Sequence, residues 1–210
     1  MKKLKIEMVH DIVCSWCPIG YKNIQTAIKN LNIEVDFHFI PYELNPEMPA
    51  NGEIISSYFK RQFGFDDEKL IDYQEGLVKV AASAGVNIDF SKRLKYYNTK
   101  KAHLTMHLAE RFNKQTELNE LLIKAYFEEG LDIDNTDVLL NLAVQIGLER
   151  VSTEDALFSP QLAQELDLKI ERQKSFNIQS IPAFILDENI LISGSKSVEF
   201  FEKTLSDYIQ

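Results

Sequence analysis

Apolar and polar positions alternate along Leu4-Lys5-Ile6-Glu7-Met8-Val9, the period-two pattern of a half-buried strand. Ile12 and Val13 carry the apolar supply on to Cys14, and Pro18 fits the first turn of a helix, where its missing N–H costs little. Ile19, Ile24, Ala27, Ile28 and Leu31 then form a stripe at helical spacing. A second alternation, Ile33-Glu34-Val35-Asp36-Phe37-His38-Phe39-Ile40, is the clearest strand in the chain. Strand, helix, strand in this order predicts a βαβ unit, with both cysteines at the mouth of its crossover helix.

The texture changes after residue 40. Pro41 to Gly52 holds three prolines, two asparagines and a glycine and reads as loop. Helical spacing follows from Ile54 to Phe59, and again from Asp67 to Ala84, closed by Gly85. Asn98 or Thr99 is expected to cap a helix bearing Ala102, Met106 and Ala109. Leu118, Leu121, Leu122, Ala125 and Tyr126 recur at helical spacing up to Gly130, and Thr136 is expected to cap Val138–Ile146. Ser159-Pro160 opens a long helix with Leu162, Ala163, Leu166 and Ile170 on one side. No strand is expected between residues 45 and 175. The Tyr58, Phe59, Phe63 and Phe65 cluster reads as interior of this helical block rather than a groove, and Asp66-Asp67-Glu68 as a charged helix start. Strand texture returns at Ala183–Leu186 and Ile190–Ile192, close enough for a hairpin, before a terminal helix with Val198, Phe201, Leu205 and Tyr208. The order is therefore βαβ, a long helical excursion, then ββα.

Composition narrows the function classes. The 210 residues suit one domain or one domain with a large insertion. A formal charge of −9 argues against a nucleic-acid surface, which needs a Lys/Arg footprint. No stretch approaches the apolar length of a membrane span. Met1-Lys2-Lys3 followed by apolar residues resembles a signal peptide, but Glu7 and Asp11 break the apolar run, so the expected address is cytoplasmic. In a reducing compartment two cysteines are seldom a structural staple.

Those two cysteines are the candidate chemistry. Cys14-Ser15-Trp16-Cys17 reads first as a redox pair, then as half of a zinc site, then as two inert core thiols. Zinc takes four ligands, and His10 is the only supplement nearby. No metal or other cofactor is expected, and His10 reads as a strand-end residue facing solvent or packing. Cys14, at a helix N-terminus where free N–H groups and the helix dipole stabilise a thiolate, is the candidate exposed nucleophile. Cys17, one turn inside, is the candidate resolving thiol. Trp16 is either an aromatic wall over the sulfurs or a packing residue. His103 and His107 lie four apart on one helical face without a pattern that completes a metal site. His103 is a cleft residue or a satisfied buried histidine, and Asn45 a cleft hydrogen-bonder or a loop-closing amide.

Several landmarks together resemble the DsbA superfamily of thioredoxin-fold proteins, and more narrowly its FrnE-like branch. Asp11, Cys14, Trp16, Cys17 and Gly20 match that signature, with Ser15 where proline is commoner. Glu43-Leu44-Asn45-Pro46, Asn98-Thr99 with Ala102-His103, Ala125-Tyr126-Phe127, Gly130-Leu131-Asp132-Ile133, Ile181-Pro182-Ala183-Phe184 and Ser193-Gly194 extend the likeness over nearly the whole chain. The resemblance implies an α/β fold with a thioredoxin-like core at residues 1–44 and 161–210 and an all-helical insertion at 45–160. It also implies thiol–disulfide exchange and a cis proline at Pro182, which would present the Ile181 backbone to an extended peptide. Substrate disulfides or thiols, glutathione or such a peptide are the expected partners. Related glutathione-using 2-hydroxychromene-2-carboxylate isomerases and kappa-class transferases lack the second cysteine, so the intact pair favours redox chemistry. Glutathione-dependent isomerisation and a non-catalytic binding module are the alternatives. Asn177 and Ser180 stand where the family often has glycine, and Asn tolerates a left-handed backbone.

Overall fold

The computed structural model describes residues 3–209. Strand β1 (Leu4–His10) leads through the cysteine loop into helix α1 (Trp16–Leu31) and strand β2 (Val35–Pro41). The chain returns to the same sheet only at β5 (Ala183–Leu186) and β6 (Ile190–Ser193), and ends in α9 (Val198–Ile209). The sheet order is β2-β1-β5-β6, with β1 and β2 parallel and both later pairings antiparallel. This is the thioredoxin-like α/β core with a large helical insertion between β2 and β5.

Side-chain alternation assigns the two faces of the sheet. Ile6, Met8, Phe184 and Leu186 join one apolar cluster with Ile24, Ala27 and Ile28 of α1 and Phe201 and Leu205 of α9. Each fully buried side chain of this kind contributes roughly 1.5–3 kcal/mol. Val9, Ile40, Ala183 and Ile185 point to the opposite face, where they meet Ile178. Glu7 shares that side and accepts two hydrogen bonds from Arg172, at 2.8 and 2.7 Å. Arg172 belongs to the long helix α8 (Pro160–Ser175), which packs along β2. Burial alone pushes the Glu7 carboxyl up, but hydrogen bonds from Arg172 and Lys5 outweigh it and hold the group below its usual range.

The insertion carries α2 (Ile55–Phe63), α3 (Asp67–Ser83), α4 (Lys100–Glu110), α5 (Gln115–Ile123), α6 (Thr136–Gln145) and α7 (Arg150–Leu157) before α8. It also holds two strands missing from the sequence reading, β3 (Glu53–Ile54) and β4 (Lys95–Tyr96), which pair antiparallel. Two residues are too short to show alternation. Helix α7 was equally illegible, because Thr153 and Leu157 are its only buried positions. Helix α6 is capped by Asn135, whose side chain accepts from Asp137 and Val138, and not by Thr136, which is already the first helical residue. At α4 it is the Asn98 side-chain Oδ1 that accepts from Lys100 N–H, while Thr99 makes no capping bond. Asp66 caps α3 by accepting from Lys69, and Tyr58 and Phe59 are buried among Phe63, Phe65, Tyr73 and Tyr96. After α5 the backbone widens into a π-helical turn, Lys124–Glu128, which buries three consecutive side chains, Ala125, Tyr126 and Phe127.

Candidate active site

The cysteine loop is a tight connection off the end of β1. Cys14 N–H donates to the Asp11 carbonyl and Cys17 N–H to the Cys14 carbonyl, each at 3.1 Å, and α1 begins at Trp16. Both cysteines are free thiols. Cys14 is 7% exposed and Cys17 only 2%, so both are buried, the first slightly less than the second, and Cys14 is not the exposed group expected from sequence. Its Sγ faces the Ile181 carbonyl at 3.9 Å. Burial pushes the Cys17 thiol well above its ordinary value, and contact with Cys14 adds to this. Cys17 is therefore a protonated thiol at neutral pH.

The peptide bond before Pro182 is cis. Helix α1 can press against Pro182 because position 20 is glycine: a β-carbon there would lie 2.8 Å from the proline ring and 3.3 Å from Ser195. Alanine ordinarily favours a helix over glycine by about 1 kcal/mol, but a rigid ring offers no easy retreat. Gly20→Ala is accordingly expected to destabilise by about 1–3 kcal/mol, read by urea unfolding.

Beneath the loop lies a residue the sequence reading missed. Arg93 is 2% exposed and donates to Ser15 Oγ at 3.1 Å and to the Val13 carbonyl at 3.0 Å. Its guanidinium sits 4.7–5.3 Å from the ring centroids of Tyr126, Phe127, Tyr96 and Phe90. Ser15 Oγ serves this contact and makes no helix cap. The planar fork thus fixes the loop between the two cysteines from below, a geometry lysine cannot copy. Gly130, at φ +69°, lets the end of the π-helical turn approach Lys92, whose carbonyl would lie 2.2 Å from an added β-carbon.

On the other side Asp11 is 1% exposed. Its Oδ2 accepts the Leu44 N–H at 2.7 Å, and its Oδ1 lies 3.4 Å from His103 Nε2. His103 Nε2 is also 3.2 Å from the Tyr42 carbonyl. His10 is buried, not facing solvent, and packs against Phe39 and His103 with ring centroids 4.9 and 5.7 Å away. Burial and the neighbouring His103 hold its pKa well below the usual histidine value.

The sequence pattern of the DSBA-like thioredoxin domain matches residues 5–206. The chain belongs to that family. The uncharacterized protein YwbO of Bacillus subtilis (strain 168) is 29% identical over 204 residues, 96% of each chain. A probable DsbA oxidoreductase from Streptomyces coelicolor shares the fold with a TM-score of 0.90 at 21% identity, covering 97% of this chain and 89% of its own. The cytosolic disulfide reductase DsbM from Pseudomonas aeruginosa, solved with glutathione, superposes with a TM-score of 0.66 at 12% identity over 98% of both chains.

Within this DsbA-like frame the structure brings Cys14, Cys17, Ile181 and Pro182 together at the start of α1. Trp16 is 38% exposed, with its indole beside the Tyr73 hydroxyl of α3, so it borders the site and touches the insertion. Asn45 is a loop-closing amide: its Oδ1 accepts from Tyr58 Oη at 2.7 Å and its carbonyl from Met48 N–H. Asn45 also lines an open cleft of about 570 Å³ with Glu53 and Arg61, which does not include the cysteines. His103 and His107 diverge, the first to Asp11 and Tyr42, the second to Glu110 and Glu165. Asn177 adopts the left-handed backbone, φ 49°. Among the described residues no three His, Cys, Asp or Glu side chains gather as a metal site, and no helix is long and apolar enough to cross a membrane.

Proposed function

We propose that the protein is a thiol–disulfide oxidoreductase of the FrnE-like branch, in which Cys14 attacks and Cys17 resolves. The observation that carries this reading is the asymmetry of the pair. Cys14 keeps a slight exposure and faces the Ile181 carbonyl, whereas Cys17 is enclosed and held as a thiol. The Cys14 thiolate attacks a substrate disulfide, forming a mixed disulfide and releasing one substrate thiolate. Cys17, once deprotonated, attacks Cys14 sulfur; the Cys14–Cys17 disulfide forms and the second substrate thiolate leaves. Two electrons pass from protein to substrate, and the reverse sequence oxidises a substrate dithiol.

An extended peptide beside Ile181 suits the main-chain acceptor next to Cys14. Glutathione is the small-molecule candidate, supported by the fold shared with the glutathione-bound reductase. Trp16 forms the outer wall of the site. His103 and Asn45 act at one remove, His103 through Asp11 and Asn45 through the loop that follows β2. We place this chemistry in the cytoplasm, where glutathione keeps thiols reduced. Titration with glutathione redox buffers tests the reading: the two thiols must disappear and return together, as one two-electron couple.

A further inference from the structure

The inner side of Cys17 faces a chain of polar groups with no role in the exchange as written. Two buried side-chain nitrogens there have no polar partner, His10 Nε2 and Asn119 Nδ2, while Asp11 Oδ1 and His107 Nδ1 make no hydrogen bond and only approach His103 and Glu110 at 3.4 and 3.3 Å. Leaving such an atom unpaired costs about 1–3 kcal/mol, so their grouping calls for an explanation. They belong to residues around two small cavities, each of about 10 Å³, which is about the size that holds one water. Cys17, Asp11, Tyr21, Asn119 and His10 line the first. His10, His103, His107, Gln115 and Lys169 line the second.

His10 is the residue common to both cavities. A neutral imidazole has one nitrogen that accepts and one that donates, so it can take a proton on one side while releasing one on the other. Burial keeps His10 in that neutral form. The second cavity ends at His107, whose Nε2 lies 3.1 Å from Glu165 and whose Nδ1 lies 3.3 Å from Glu110. Those carboxylates are partly exposed and pair with Arg111 and Lys169, so the path reaches solvent on the insertion side.

We propose that His10 relays the Cys17 proton through two buried waters to the His107–Glu165–Glu110 cluster, serving the resolving thiol from its inner face. The inference rests on the redox reading above. Cys17–SH gives its proton to the first water, which passes one to His10; His10 releases its other proton to the second water, which passes one to His107, and His107 releases one toward Glu110, Glu165 and solvent. The electron pair left on Cys17 sulfur forms the bond to Cys14, and the substrate thiolate departs with the pair from the broken disulfide. In the opposite direction the same route returns a proton to Cys17 as it leaves. Asp11 on the loop, Cys17 and Tyr21 on α1, His103, His107 and Glu110 on α4 and Glu165 and Lys169 on α8 are the titratable groups around this path.

The test uses the full reduced protein and an aromatic disulfide reagent, dithiobis-nitrobenzoate, in stopped flow. Attack by Cys14 releases one coloured thiolate and resolution by Cys17 releases the second. In His10→Phe, which keeps the ring against Phe39, the first phase should be unchanged and the second slowed at least about tenfold, as for loss of a proton-transfer group. That second phase should also become first order in hydroxide, which a purely structural defect would not produce. His107→Phe, at the outer end, should slow the same phase selectively. A second phase near the wild-type rate in His10→Phe overturns the relay, and one unaffected by His107→Phe overturns the exit through that cluster. A wild-type protein showing neither phase would instead overturn the redox reading itself.

Discussion

Cys17→Ser is expected to accumulate a stable mixed disulfide with glutathione disulfide, one glutathione per chain, whereas the wild-type protein passes through that adduct without storing it. The reason is the division of labour at the start of α1. Attack needs only the Cys14 thiol, which faces the Ile181 carbonyl, and serine at position 17 leaves that geometry in place. Resolution needs a second sulfur within reach of the first, and among the described residues Cys17 is the only other thiol. Cys14→Ser should behave differently: it forms no adduct, and exchange falls to the background of thiols in solution. Intact-mass spectrometry after incubation distinguishes the three proteins. Adduct formation on Cys14→Ser through Cys17 would reverse the assigned roles.

Arg172→Met is expected to be strongly destabilising although it lies away from the cysteines. Glu7 is nearly fully buried in β1, and Arg172 meets both of its carboxylate oxygens. Breaking a buried pair by removing one partner costs about 3–5 kcal/mol, and Lys5, 3.1 Å from Glu7, offsets part of it. A loss of about 3 kcal/mol is expected, equivalent to a fall in Tm of roughly 6–12 °C for a chain of this size. The pH dependence supplies the sign. In the native protein the Glu7 pKa is lowered, so its stabilisation is present above the unfolded carboxylate value of about 4.3 and is lost as pH falls through the folded value. Without Arg172, only Lys5 still opposes the effect of burial, so the Glu7 pKa moves up from its native position. The variant is then least handicapped at low pH, and the gap to wild type widens as pH rises toward neutrality. Urea unfolding at pH 4 and pH 7 reads this directly, and a gap independent of pH would assign the loss to packing alone.

The core was legible because its signals are local. Leu4–Val9 and Ile33–Ile40 alternate over enough residues to show a strand, and the cysteines fall between them at the start of a helix stripe. The site was legible only where adjacent residues carry it. Arg93 stands in Ser91-Lys92-Arg93-Leu94, which reads as a solvated surface run. Its aromatic surroundings come from Phe90, Tyr96, Tyr126 and Phe127, and the last two become neighbours only because the π-helical turn buries consecutive side chains. No periodicity announces that widening. His10 illustrates the same limit from another direction. At the end of β1 it could face either way, and its burial follows from Phe39 on the adjacent strand and His103 on α4 arriving from distant parts of the chain. The signature position Asp11 was visible as a letter, but its bond to Leu44 N–H and its approach to His103 exist only after the loop beyond β2 folds back.

The most direct measurement is an equilibrium titration of the reduced protein with glutathione and glutathione disulfide, quenched with an alkylating agent and read by intact mass. Both thiols are expected to be lost in one two-electron transition, with the intramolecular Cys14–Cys17 disulfide as product and a midpoint between about −270 and about −120 mV, the span of thioredoxin-fold couples. Two thiols that stay alkylatable across the whole range of buffers, or that end only as glutathione adducts, would contradict the redox reading.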